Sequence, residues 1–195
     1  MKKTITLIVF GLMGFVITAS AQLQKGNLLV GGDIANFHLS LNKDGTFTMN
    51  IDPKLAYFIR NNTALGGYIN LGITTFKGGS ATTNYGVGAL GRLYVNKINE
   101  QNISLSKQSR FFVEANVGIN GTSAGGSSTT GLGLGIGPGL AYFITPNIGL
   151  ETLLKYNGIV GFGSRPTSST LDLGFGFQIY LSGRRAKEII NNPKQ

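Results

Sequence analysis

The sequence predicts an all-β fold, an eight-stranded antiparallel up-and-down transmembrane β-barrel behind a cleaved signal peptide. Three observations predict it. Eight segments alternate apolar with small or polar residues at a period of two, which only extended strands convert into two distinct faces. Most of these segments exceed the five or six residues usual in a globular sheet and approach the roughly 9 to 11 with which a tilted strand crosses a bilayer. Finally, only 13% of the 195 residues are charged while 42% are hydrophobic. Soluble domains carry about twice that charged share, so too little charge is present to coat a water-facing surface.

Composition removes several other classes. The 30 glycines follow no G-X-Y period, which excludes collagen, and the abundant Leu, Ile, Val and Phe argue against a disordered chain. The absence of Cys excludes disulfide scaffolds, thiol catalysis and cysteine-ligated metal centres.

Taken in order, the first element is the signal peptide, residues 1–21. Lys2 and Lys3 form its positive end, Ile5 to Ile17 its apolar stretch and Ala19-Ser20-Ala21 a small-residue cleavage site. The apolar run is shorter than a spanning helix needs. Loss of Lys2 and Lys3 lowers the formal charge from +9 to +7. No later segment is long and apolar enough to span as a helix, so a membrane form must be a sheet closed on itself.

The barrel is expected over 22–182. Its first strand, Leu28 to Leu41, changes phase: Leu28, Val30 and Ile34 fall on even numbers, Phe37, Leu39 and Leu41 on odd ones, and a bulge near Ala35 reconciles them. The second strand, Phe47 to Arg60, places Phe47, Met49, Ile51, Leu55, Tyr57 and Ile59 on one face. Leu65, Ile69, Leu71 and Ile73 mark the third, and Tyr85, Val87, Leu93 and Val95 the fourth. The fifth is the most regular, with Phe111, Val113, Ala115, Val117 and Ile119 opposed to Phe112, Glu114, Asn116, Gly118 and Asn120. In the sixth, Leu132, Leu134, Ile136, Leu140 and Tyr142 alternate with Gly131, Gly133, Gly135, Gly137 and Gly139. Ile148, Leu150, Leu154 and Tyr156 define the seventh. Leu171, Leu173, Phe175, Phe177, Ile179 and Leu181 define the eighth.

The connections also alternate. Asn42 to Gly45, Asn61-Asn62 and Thr145-Pro146-Asn147 are short, whereas polar Gly/Ser/Thr stretches at Lys77 to Thr83, Gly121 to Thr130 and Gly158 to Thr170 are longer, as in membrane barrels with turns on one rim and loops on the other. Asn96 to Ser109 departs from this layout, being long on the rim of short turns. Residues 183–195 form a basic tail with Arg184, Arg185 and Lys187, expected in the periplasm, and Ala186 to Ile190 suits a short helical turn.

Alternation alone does not say which face meets lipid, because soluble barrels put apolar side chains inside and membrane barrels put them outside. The polar face decides. It combines glycine columns with Asp52, Lys54, Arg92, Glu114, Glu151, Lys155 and Asp172. Glycine weakens a solvent-facing strand and covers nothing, but it suits a crowded lumen. Tyr57, Tyr85, Tyr142 and Tyr156 lie near strand ends on the apolar face, as interfacial girdles do. Symmetric closure of the hairpins then sets Arg92 opposite Glu114 and Lys155 opposite Asp172, both pairs inward. An unpaired charge in a dry lumen is expensive, so these four residues are expected as structural lumen ion pairs; the alternative is separate solvation by lumen water.

The signal peptide ending, eight amphipathic strands, Gly-x-Gly columns and terminal strand Leu-Gly-Phe-Gly-Phe-Gln-Ile-Tyr-Leu together resemble the small outer-membrane β-barrel domain family abundant in Bacteroidota, from Gln22 to about Ser182. That resemblance implies residence in the outer membrane of a Gram-negative cell. It also implies a last strand, here with Phe175, Phe177 and Tyr180, that the barrel insertion machinery reads.

No catalytic, cofactor or metal site is expected. Gly131 to Gly139 lacks the Gly-Lys-Ser/Thr and following helix of a phosphate loop. His38 is the only histidine. With Ser40 and Asp44 near the first loop it sketches a lipid acyltransferase centre, against the simpler reading of a rim histidine among ordinary turn residues. Lys and Arg are scattered, without the aromatic-interleaved basic stretch of a nucleic-acid site. The expected function is structural or adhesive, by a monomer with a filled lumen whose partners are outer-membrane lipid, the insertion machinery and an extracellular ligand reached by the loops. A narrow channel and a soluble lipocalin-like carrier are the rival readings.

Overall fold

The computed structural model describes residues 23–39, 46–76, 79–95, 108–163 and 167–183. Eight strands follow one another: β1 (Leu28–Leu39), β2 (Thr46–Arg60), β3 (Thr63–Phe76), β4 (Thr82–Tyr94), β5 (Ser109–Ala124), β6 (Ser127–Thr145), β7 (Ile148–Gly161) and β8 (Ser168–Leu181). Each pairs antiparallel with its neighbours, and β1 pairs with β8 to close the barrel. Closure leaves no free edge, the condition for a sheet in hydrocarbon. The expected bulge in the first strand is present as a register shift between Ala35 and His38.

The ladder is interrupted where proline removes a donor. The β2–β3 register skips Asp52 and Pro53, and the β6–β7 register skips Gly137 and Pro138.

One rim carries the start of β1, the end of β8 and the connections β2–β3, β4–β5 and β6–β7; it is called the turn rim below. Asn61-Asn62 makes a two-residue turn with Asn62 at φ 65°, a left-handed conformation asparagine tolerates. The long β4–β5 connection leaves the strand count intact, since β4 and β5 pair without interruption from Tyr94↔Phe112 to Thr82↔Ala124; residues 96–107 lie outside the described residues.

The opposite, loop rim corrects one expectation. Gly121 to Thr130 is not a loop. Hairpin pairing continues to Ala124↔Ser127, and the chain reverses at Gly125 and Gly126, whose φ values of 56° and 84° are those a tight primed turn requires. Ser and Thr suit loops, but opposite one another in a ladder they serve as strand residues. The arms of the other loops also run further than the apolar alternation indicates, to Phe76 and Thr82 on either side of one and Gly161 and Ser168 on either side of another.

The faces are those of a membrane barrel. Phe175 (61% exposed), Phe177 and Val113 point outward in a continuous apolar belt, together with Tyr57, Tyr85, Tyr142 and Tyr156, while Glu114 (1%) is enclosed. The glycine column of β6 fits the side chains across from it. Glu114 and Phe112 of β5 stand opposite Gly137 and Gly139, and Asn116 and Asn120 opposite Gly135 and Gly131. A Cβ at Gly139 would enter the Phe112 ring, and one at Gly135 would strike the amides of Asn116 and Asn157. Large against small across facing strands is how a narrow lumen reaches protein density. The glycines therefore make room for the side chains across from them.

Candidate functional site

The lumen is layered from the turn rim upward. Its floor is aromatic: Phe58, Tyr94, Phe112, Phe143 and Tyr180 project inward from β2, β4, β5, β6 and β8, all nearly inaccessible. Their rings lie 5.0 Å apart for Phe143 and Tyr180, 5.5 Å for Tyr94 and Phe112 and 6.0 Å for Phe58 and Tyr94, within the range of favourable aromatic pairs. Leu23 joins this cluster from beneath. Its segment is tied on by hydrogen bonds from Asn62 N to Leu23 O (2.7 Å), Gly26 N to Phe58 O (2.9 Å) and Lys25 N to Asn61 Oδ1 (2.9 Å).

Above the floor, five ionised side chains alternate in sign across the lumen. Lys54 Nζ lies 2.5 Å from Asp33 and 3.1 Å from Glu114; Arg92 Nη2 lies 2.6 Å from Glu114, and its Nη1 2.7 Å from Glu151. Both ends are held by β8: Gln178 Nε2 donates to Asp33 (3.1 Å), and the Tyr180 hydroxyl donates to Glu151 (2.6 Å). Tyr94 accepts from Arg92 (3.0 Å) and shares a hydrogen bond with Tyr180 (2.7 Å). The guanidinium also stacks over Phe112, 4.1 Å from the ring centre, an arrangement its planar charge favours. Three carboxylates and two cations leave one negative charge, and Lys155, 4.0 Å from Glu114, offsets it. Charges this buried persist only when paired and hydrogen-bonded.

The third layer is a cavity of ≈ 250 Å³ that opens toward the loop rim. Asparagines dominate its wall: Asn50, Asn70, Asn84, Asn116, Asn120 and Asn157. Asn70 donates to Asp52 (2.5 Å), Asn157 and Thr170 donate to Asp172 (2.7 and 2.9 Å), and Thr122 donates to Asn84 (2.8 Å). Tyr68 crosses the base of the cavity, accepting from Asn116 (3.0 Å).

The residues singled out from sequence distribute as follows. Arg92 and Glu114 are cross-strand partners and touch. Lys155 and Asp172 are also in register, but the Lys155 ammonium reaches down toward Glu114 while Asp172 takes hydrogen bonds from Asn157 and Thr170. Phe175 and Phe177 face outward, whereas Tyr180 is part of the floor and of the charged layer. The side chain of His38, with Ser40 and Asp44, lies outside the described residues, as does the 184–195 tail. Hairpin arithmetic overlooked Asp33, and overlooked that Lys54 and Glu151 join the same network. It finds neighbours on adjacent strands only, while β2 reaches β5 and β4 reaches β7 across the lumen. Asp33 sits on the odd-numbered phase among Leu28, Val30 and Ile34, which marks it as inward.

Several solved structures share this fold. Neisserial surface protein A superposes with a TM-score of 0.58 at 20% identity, covering 80% of this chain and 97% of that one. Ail of Yersinia pestis (TM-score 0.44, 18% identity, 80% and 100% covered) and the N-terminal barrel domain of Pseudomonas aeruginosa OprF (0.43, 12%, 80% and 98%) align more loosely. No protein-family model and no curated protein matches the sequence. The chain thus has the eight-stranded architecture of outer-membrane barrels.

Proposed function

We propose that this protein is a monomeric integral barrel of the Gram-negative outer membrane, sealed against diffusion, that acts structurally or adhesively through its loop rim and not as a pore or an enzyme. The observation that carries this reading is the continuous floor of Phe58, Tyr94, Phe112, Phe143 and Tyr180 beneath an ion-paired layer. Eight strands enclose a lumen that side chains can fill, and here they fill it from the turn rim to mid-height. The apolar belt speaks against a soluble carrier, which needs the opposite orientation of its faces. Export by a signal peptide over 1–21 belongs to the same proposal.

The test is conductance. Folded protein reconstituted into planar bilayers should give no steady current steps; reproducible nanosiemens steps would overturn the sealed-lumen reading. Extracted protein should migrate differently in SDS before and after boiling, and recovery in the aqueous fraction without detergent would overturn the membrane assignment.

A further inference from the structure

We infer that the turn rim is an electrostatic docking surface for the anionic phospholipid headgroups of the leaflet in which it lies. This rests on the membrane setting proposed above. Among the described residues every carboxylate faces the lumen, either in the charged layer or in the vestibule above Tyr68. The described cations divide differently. Lys54, Arg92 and Lys155 answer those carboxylates from inside, whereas Lys25, Arg60 and Arg110 stand at the turn rim, the first two exposed and the third half-buried. Every described charge outside the lumen is therefore positive and on one side of the apolar belt.

The imbalance extends to the whole of residues 22–195, since strand order fixes the rim from which each connection leaves. Five carboxylates against three cations leave the lumen at −2, and Lys43, Asp44, Lys77 and Arg165 give the loop-rim connections +2. These cancel. The net +7 thus stands on the turn rim, where nine cations meet only Glu100 and Glu188.

One backbone arc joins the three described cations. Lys25 N donates to Asn61 Oδ1 (2.9 Å) beside Arg60, Tyr94 N to Asn62 O (2.8 Å), and Val95 N to Phe111 O (2.9 Å) beside Arg110. Girdle tyrosines set the depth of this arc. Tyr57 lies three residues before Arg60 and pairs with Leu28, three residues after Lys25; Tyr142 pairs with Ser109, beside Arg110, and its hydroxyl donates to Gln108 (2.9 Å). Outward tyrosines mark headgroup level, and three residues span about 10 Å, roughly one Debye length. The cations therefore act on headgroups without having to touch them. Spacing selects the partner: β2 and β5 are three strands apart, about 14 Å along the wall, so Arg60 and Arg110 do not converge on one group. Dispersed single charges suit a layer of separate phosphates better than one compact multivalent anion.

The experiment uses tyrosine emission, since the chain has 7 Tyr and no Trp. The folded protein is placed in phosphatidylcholine vesicles containing either brominated phosphatidylcholine or brominated phosphatidylglycerol, and quenching gives the relative association of the two lipids. At about 20 mM salt phosphatidylglycerol should associate at least about twofold more strongly, and the preference should fade at about 0.5 M salt, where screening is tight. Combining Lys25→Gln, Arg60→Gln and Arg110→Gln, with folding checked by heat-dependent mobility, should remove about half of the preference or more. If that variant does not fold, removal of residues 184–195, four cations against one carboxylate, takes its place and should lower the preference as well. Equal association of the two lipids at low salt, a preference indifferent to salt, or an unchanged preference in the folded variant would overturn the docking surface. So would polyglutamate binding through the same three residues without any lipid preference, which would assign the rim to a soluble acidic partner. A barrel that folds in vesicles and shows no preference fails here alone, whereas recovery in the aqueous fraction without detergent fails the membrane setting itself.

Discussion

The lower and upper halves of this lumen are built from the same strands on different principles. Below, aromatic rings and alternating charges meet one another directly and nearly exclude solvent. Above, short carboxamides line a cavity with room between them. The lower half is where the barrel's stability is concentrated, because buried charges and close packing make every group depend on its neighbours. The upper half tolerates more change, because its amides border a cavity with room for a side chain to shift.

The largest expected effect comes from the charged layer. Glu114→Ala leaves Arg92 and Lys54 without their shared carboxylate and should cost about 3–5 kcal/mol in urea unfolding from lipid vesicles. Adding Arg92→Ala should cost clearly less than the sum of the single changes; strict additivity would remove the coupling. Next, Gly139→Ala drives a methyl into Phe112 and should cost about 1–3 kcal/mol by overpacking, more than Gly133→Ala, where the neighbour is the end of the Asn120 side chain. Equal losses at the two glycines would erase the distinction between the halves. The smallest effect belongs to the vestibule: Asn84→Ala should shift stability by about 0.5 kcal/mol or less, as substitutions outside a packed network usually do. A loss near that of Gly139→Ala would show the upper half to be as interlocked as the lower.

Strand number, order and the sidedness of each strand were legible in the sequence, because alternation at a period of two is a local property. The Arg92–Glu114 contact was legible for the same reason, being a nearest-neighbour pair. The rest of the charged layer was not. Whether Lys54 meets Glu114 depends on the barrel's diameter and tilt, which no single hairpin contains. The role of Tyr180 was obscured because its number places it in a strand read for its outward aromatics. The tight Gly125-Gly126 reversal was hidden by its Ser and Thr neighbours, residues that suit loops and paired strands alike.

The alternating chain of charges has a consequence for biogenesis. Its links join segments that begin at opposite ends of the polypeptide, from Asp33 near the start to Glu151 and, through Tyr180, the final strand. Asp33 and Glu151, the two ends of that chain, cannot reach their full sets of partners until the last strand arrives with Gln178 and Tyr180. A half-made curl pressed into acyl chains would strand them without counterions, so this cylinder must keep its concave side hydrated during entry and expel that water only as the circle completes.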